Sequence, residues 1–122
     1  MKVLLGVSGV DPVEEVVAQA VARAREAADE VTVAILDEPD AEVAVTGVEQ
    51  AVQDVLADLG FDAEVLVRDG HPGSELVELA DGRGFDRLVI SGGTRSPLGK
   101  IQLGSTAEFV LLNASTTVTL LR

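Results

Sequence analysis

Apolar residues recur along this chain either as short continuous runs or at helical three-and-four spacing, and the two patterns take turns from one end to the other. Residues 2–7 (KVLLGV) form a compact apolar run. Ser8-Gly9 and Asp11-Pro12 then turn the chain toward a helix with proline near its first position. Val13, Val16, Val17, Ala20, Val21 and Ala24 make one stripe over residues 13–28, while Glu14, Glu15, Arg23 and Glu26 take the opposite face, so an amphipathic helix is predicted. Residues 31–36 (VTVAIL) are β-branched and almost unbroken in apolarity, as suits a parallel strand covered on both faces. After the break at residues 37–40 (DEPD), Val45, Val48, Val52, Val55 and Leu59 form a second stripe, with Gly60 where a left-handed cap belongs. Residues 63–67 (AEVLV) read as a third strand, and Gly70-His71-Pro72 leads into a third helix around Leu76, Val77, Leu79 and Ala80 that stops at Gly82-Arg83-Gly84. A fourth strand at residues 87–91 (RLVIS), a glycine-rich loop, a helix over residues 105–112 and a last strand over residues 116–121 complete the pattern.

Strands alternating with helices through short connections imply right-handed parallel crossovers, hence an α/β chain with an open parallel sheet and helices on both faces. Residues 1–122 suit a single domain with one core. Ligands in such sheets bind beyond the carboxyl ends of the strands, where strand order reverses, so the loops at residues 8–11, 37–40, 68–72 and 92–103 are the places to look for chemistry.

Composition narrows the partners. Hydrophobic residues make up 47% of the chain, enough to fold despite a net charge of −12. With 21 acids against 9 bases, the surface repels phosphate backbones and anionic lipid, which argues against nucleic acid and membrane partners. No apolar run approaches the roughly 18 residues of a membrane span and no basic leader precedes the first strand, so the expected location is cytoplasmic. The absence of Cys and a single His leave no structural zinc site, disulfide or cysteine nucleophile, and no metal site is expected. Lys2 and Lys100 are the only lysines, a halophilic composition that predicts stability rising with salt.

One segment departs from the acidic background. Between Asp86 and Glu108 there is no acid, while Arg87, Arg95 and Lys100 are positive and Gly92, Gly93, Gly99 and Gly104 let backbone amides approach a ligand, with Pro97 stiffening the loop. Ser105 and Glu108 match a capping box, so a helix is predicted to begin there and to present unpaired N–H groups to a phosphate. A plain strand-to-helix connection explains the same residues, and both readings stay open. Other motifs fail: Thr94 and Ile101 replace the first glycine and the final Ser/Thr of a P-loop around Gly99-Lys100, and Gly6 to Gly9 lacks dinucleotide spacing. Val7 and Ser8 stand where a phosphoacceptor domain would need acids. His71 reads as a turn or cap residue, Asp37, Glu38 and Asp40 as a solvated linker, and Phe61, Phe85 and Phe109 as packing anchors. No catalytic residue is legible.

With the five strands and the C-terminal segment LGSTAEFVLLNA in view, the whole chain resembles the universal stress protein family. Gly104-Ser105 occupies the last two positions of that family's G-x-x-G-x9-G-[ST] signature, and Gly70-His71-Pro72 with FDRLVIS resembles its run into the fourth strand. The resemblance implies sheet order 3-2-1-4-5, a Rossmann-like fold of the adenine-nucleotide α-hydrolase type, and ATP or a related adenine nucleotide as ligand in a non-enzymatic stress-response or regulatory role. It also implies a homodimer through Thr116, Thr117, Val118, Thr119, Leu120 and Leu121. The implied nucleotide residues are Ser8, Ile35, Gly92, Thr94, Arg95, Gly104, Ser105 and Thr106. Three positions depart from the pattern: Ser91 and Thr94 fall on the signature's first two glycines, and Ser8 falls on the aspartate that ATP-binding members carry after the first strand. The alternative they open is a dimeric interaction or scaffolding module whose nucleotide site has decayed.

Overall fold

The computed structural model describes residues 1–92, 94–95 and 101–121, the side chains of residues 94, 95, 101 and 102 excepted. In chain order the elements are β1 (Lys2–Ser8), α1 (Val13–Ala27), β2 (Glu30–Leu36), α2 (Val45–Leu59), β3 (Glu64–Arg68), α3 (Pro72–Gly82), β4 (Arg87–Ser91), β5 (Thr94–Arg95), β6 (Ile101–Gln102), α4 (Ser105–Asn113) and β7 (Thr117–Leu121). The main sheet is five-stranded in the order β3-β2-β1-β4-β7, which is the expected 3-2-1-4-5 once the small antiparallel pair β5 and β6 is set apart. All of its pairings are parallel.

Strand alternation sorts the core into two layers. Val3, Leu5 and Val7 of β1, with Val31, Val33 and Ile35 of β2, pack under α1 and α2. Leu4, Ala34, Leu36, Leu88 and Ile90 face the other way, onto Leu76, Leu79 and Ala80 of α3 and Ala107 and Val110 of α4. Because both faces are covered, β1 and β2 are apolar at nearly every position, as the near-continuous runs anticipated.

Helix ends follow local chemistry with two exceptions to the sequence reading. Gly60 takes the left-handed cap of α2 at φ 61°, as expected, but α1 ends on Ala28 at φ 58°, a conformation in which a Cβ costs about 1–2 kcal/mol. The Ala28 amide offsets part of that cost by donating to the carbonyls of Ala24 and Arg25. The second exception is α4. Its cap residue is Gly104, Ser105 is already the first helical residue, and no side chain caps the helix, so the capping box does not form.

Candidate functional site

Strand order reverses at β1: the chain leaves β1 for β2 on one side and later returns to β4 on the other. A cleft of about 470 Å³ opens at that point, above the carboxyl ends of the strands. Gly6 and Ser8 of β1, Leu36 of β2, Ile90 and Ser91 of β4 and Leu121 of β7 form its floor, and the first turns of α1 and α4 form two of its walls. Gly6 keeps the floor low, since a Cβ there would come within 2.8 Å of the Leu76 side chain.

The loop after β1 turns inward. The Asp11 carboxylate accepts from the Ser8 amide at 2.8 Å, the Asp11 amide donates to the Ser8 carbonyl at 3.1 Å, and the Val10 amide donates to the Ser8 hydroxyl at 3.4 Å. This closed turn carries a carboxylate back over the end of β1, from three residues further along the chain. Burial pushes the Asp11 carboxyl above its ordinary value, and the negative charge of Glu38 adds to that rise, while the hydrogen bonds from Ser8 and Ser91 hold it down. Gly9 is needed for this closure, because a Cβ there would lie 2.1 Å from the Val43 backbone carbonyl.

Across the cleft, α4 starts without a side-chain cap from any of the described residues. The amides of Ser105, Thr106 and Ala107 precede its first intrahelical bond, from Glu108 to Gly104, and they sit at the positive end of the helix dipole. Among the described residues a Cβ on Gly104 would meet nothing within 4 Å, so neither crowding by them nor backbone angle demands glycine there. Glu38 projects into the same region and accepts from the Thr106 hydroxyl. Among the described residues the lining carries Asp11, Glu15, Glu38 and Asp40 and no lysine or arginine.

Of the residues named from the sequence, Ser8, Gly104, Ser105 and Thr106 come together in this cleft. Ile35 does not: it is fully buried under α1 and α2, because strand alternation turns it away, and its neighbour Leu36 lines the cleft instead. Gly92 is also occupied elsewhere. Its amide donates to the Leu121 carbonyl at 2.8 Å and a Cβ would press within 3.0 Å of Leu120, so this glycine serves the packing of β7. Arg87 begins β4 beside Val3, at the opposite end of the sheet, and adds no charge to the cleft. The backbones of Thr94 and Arg95 pair with Gln102 and Ile101, but their side chains lie outside the described residues, as do Gly93, Pro97, Gly99, Lys100 and Arg122. The linker reading is corrected for Glu38, which contacts Thr106, whereas Asp40 is exposed in the connection to α2 and also lines the cleft.

The profile of the Universal stress protein family matches residues 1–122. The chain belongs to the universal stress protein family. A universal stress protein from Archaeoglobus fulgidus is 25% identical, covers 100% of this chain over 98% of its own, and superposes with a TM-score of 0.77. A universal stress protein in complex with cAMP is also 25% identical, with TM-score 0.76 and coverage of 100% and 96%. The Archaeoglobus fulgidus universal stress protein in complex with dAMP, at 23% identity, TM-score 0.71 and coverage of 100% and 98%, shares the fold. A search of curated protein sequences gives no match. Within this universal stress fold, two cleft residues escaped the sequence reading. The family aspartate falls on Ser8, which hides Asp11, and the acidic, proline-containing run around Glu38 resembles a solvated linker. The available signal for Asp11 was the turn-forming run Ser8-Gly9-Val10-Asp11-Pro12 at the carboxyl end of the first strand.

Proposed function

We propose that the cleft binds an adenine nucleotide and that the protein uses it in a regulatory rather than catalytic role. The observation that carries this reading is an uncapped helix start, Gly104-Ser105-Thr106, opening onto the strand-reversal point directly across from a carboxylate-bearing turn. Such a helix start suits a phosphate, and the carboxylate suits the hydroxyls of a ribose. In this reading Asp11 takes the ribose-facing role that Ser8 lacks the charge to fill, and the base lies over Val10, Leu36 and Val16. Arg95 and Thr94 belong to the proposal as loop residues beside the phosphate end. The cAMP complex of a relative at 25% identity supports the ligand class.

The test is to denature freshly purified protein and assay the supernatant for released nucleotide, then to titrate ligand-free protein calorimetrically with cAMP, AMP and ATP. Binding of at least one is expected, with Ser105→Ala weakening it and Glu26→Ala, on the exposed face of α1, leaving it unchanged. Equal effects from both changes would place the site elsewhere.

The scaffolding reading is favoured by one feature, the Glu38 carboxylate held at the start of α4 where a phosphate would sit. It predicts no released nucleotide and no heat of binding. Under either reading we infer a homodimer formed through β7. That strand stands at the edge of the sheet, and α4, immediately before it, leaves Leu111 and Leu112 exposed.

A further inference from the structure

We propose that Glu38 is a charge filter, making the cleft take adenosine or a singly phosphorylated adenosine and turn away the triphosphate. The inference rests on the adenine-site reading above and sharpens it. The start of α4 attracts negative charge, and Glu38, anchored by the Thr106 hydroxyl in the first turn, already brings a carboxylate to it. An incoming phosphate has to share that place with a carboxylate or displace it.

Repulsion then grows with the ligand's charge. Asp11 lies close enough to Glu38 for the Glu38 charge to oppose its ionisation, and Glu15 and Asp40 line the same cleft. A neutral nucleoside meets none of this repulsion, and its ribose hydroxyls find carboxylate acceptors. A monophosphate meets it once, at the helix start, where the amides partly offset it. A triphosphate places its further charges within a space of about 470 Å³ whose described walls are acidic, so each added charge adds to the repulsion.

The experiment is calorimetric titration of the full chain with adenosine, AMP and ATP in magnesium-free buffer, on the parent protein, Glu38→Gln and Asp37→Asn. Glutamine keeps the size of Glu38 and can still accept from Thr106, and thermal melts confirm that both variants fold. Asp37 is the exposed neighbour that does not line the cleft, so its change alters net charge equally. Arg95 and Lys100 are the same in all three proteins, so they cancel from the change in ligand ratio between parent and variant. The parent is expected to bind ATP on the order of tenfold more weakly than AMP. Glu38→Gln is expected to improve ATP by roughly tenfold, AMP by less, and adenosine not at all, with Asp37→Asn leaving the ratios alone. ATP binding tightest to the parent, a common factor for all three ligands in Glu38→Gln, or an equal change of ratio in Asp37→Asn would each overturn the filter while leaving the adenine site standing. A parent that binds none of the three would instead remove the adenine-site reading and the filter with it.

Discussion

A carboxylate drawn into a cleft and left facing another carboxylate is a group whose ionisation the fold opposes, and Asp11 is in that position. Its folded value lies above the ordinary 3.8, chiefly through burial and then through Glu38. Between those two values the native chain holds more protons than the unfolded chain. Stability therefore falls as pH rises through that window, and the cost is fully present above the folded value. Asp11→Asn removes the charge while keeping an oxygen that can accept from the Ser8 amide. The variant is expected to melt higher than the parent at about pH 7, with the difference shrinking to nothing below about pH 4. Melts of both proteins across that range decide it, and a gain that persists in acid would mean the charge is not the cause. The same substitution is expected to weaken nucleoside binding, because the stability cost serves a ribose-facing acceptor.

At the scale of elements, two glycines beside the cleft have opposite reasons to be there. Gly9 lets the turn after β1 close on the segment after β2, and Gly9→Ala drives a Cβ into the Val43 carbonyl, which cannot swing aside as a side chain would. A loss of about 1–3 kcal/mol is expected, read as a lower melting temperature. Gly104→Ala meets open space at φ −69°, and the poorer cap it makes is offset by a less flexible unfolded chain, so stability is expected to change by less than about 0.5 kcal/mol. Its affinity for AMP is nonetheless expected to drop, since the methyl group occupies the space at the open amides. Calorimetry and melts on the two variants separate these effects; unchanged affinity in Gly104→Ala would mean that no ligand approaches that turn. The contrast also explains what was legible beforehand. Elements held by periodic apolar faces, such as Val13 to Ala24 on α1 or Val48 and Val52 on α2, could be read from spacing alone, although α2 buries Leu56 and leaves Val55 and Leu59 of the expected stripe half-buried. The start of α4 was legible to within a residue, but not its capping, because Ser105 and Glu108 fit a pattern that the backbone satisfies with Gly104 instead. The pair β5 and β6 went unread because two-residue strands carry no period. The site was half legible: the signature residues at α4 were visible, whereas Asp11 and Glu38 reach the cleft through a turn and a loop contact that no spacing records.

For the whole molecule the governing quantity is charge. Each chain carries 21 acids and 9 bases, a net of −12, so joining two chains along β7 brings together bodies that repel at long range before any edge pairing or leucine contact rewards them. The attractive part, backbone hydrogen bonds along Thr117–Leu121 and burial of Leu111 and Leu112, acts at contact and is only weakly affected by simple salt. The repulsive part is screened over roughly 10 Å at about 0.1 M salt and roughly 3 Å at about 1 M. Association and stability are thus expected to rise together as salt increases, with a larger share of dimer by light scattering and a higher melting temperature in molar potassium chloride than in dilute buffer. Substituting Leu112→Glu, at a position 85% exposed in the single chain, should leave the monomer folded while pushing the salt required for dimerisation upward. A monomer at every salt concentration, even in concentrated samples, would remove β7 as an interface. A melting temperature indifferent to salt would show instead that the acids lie far enough apart for self-repulsion to cost the fold nothing.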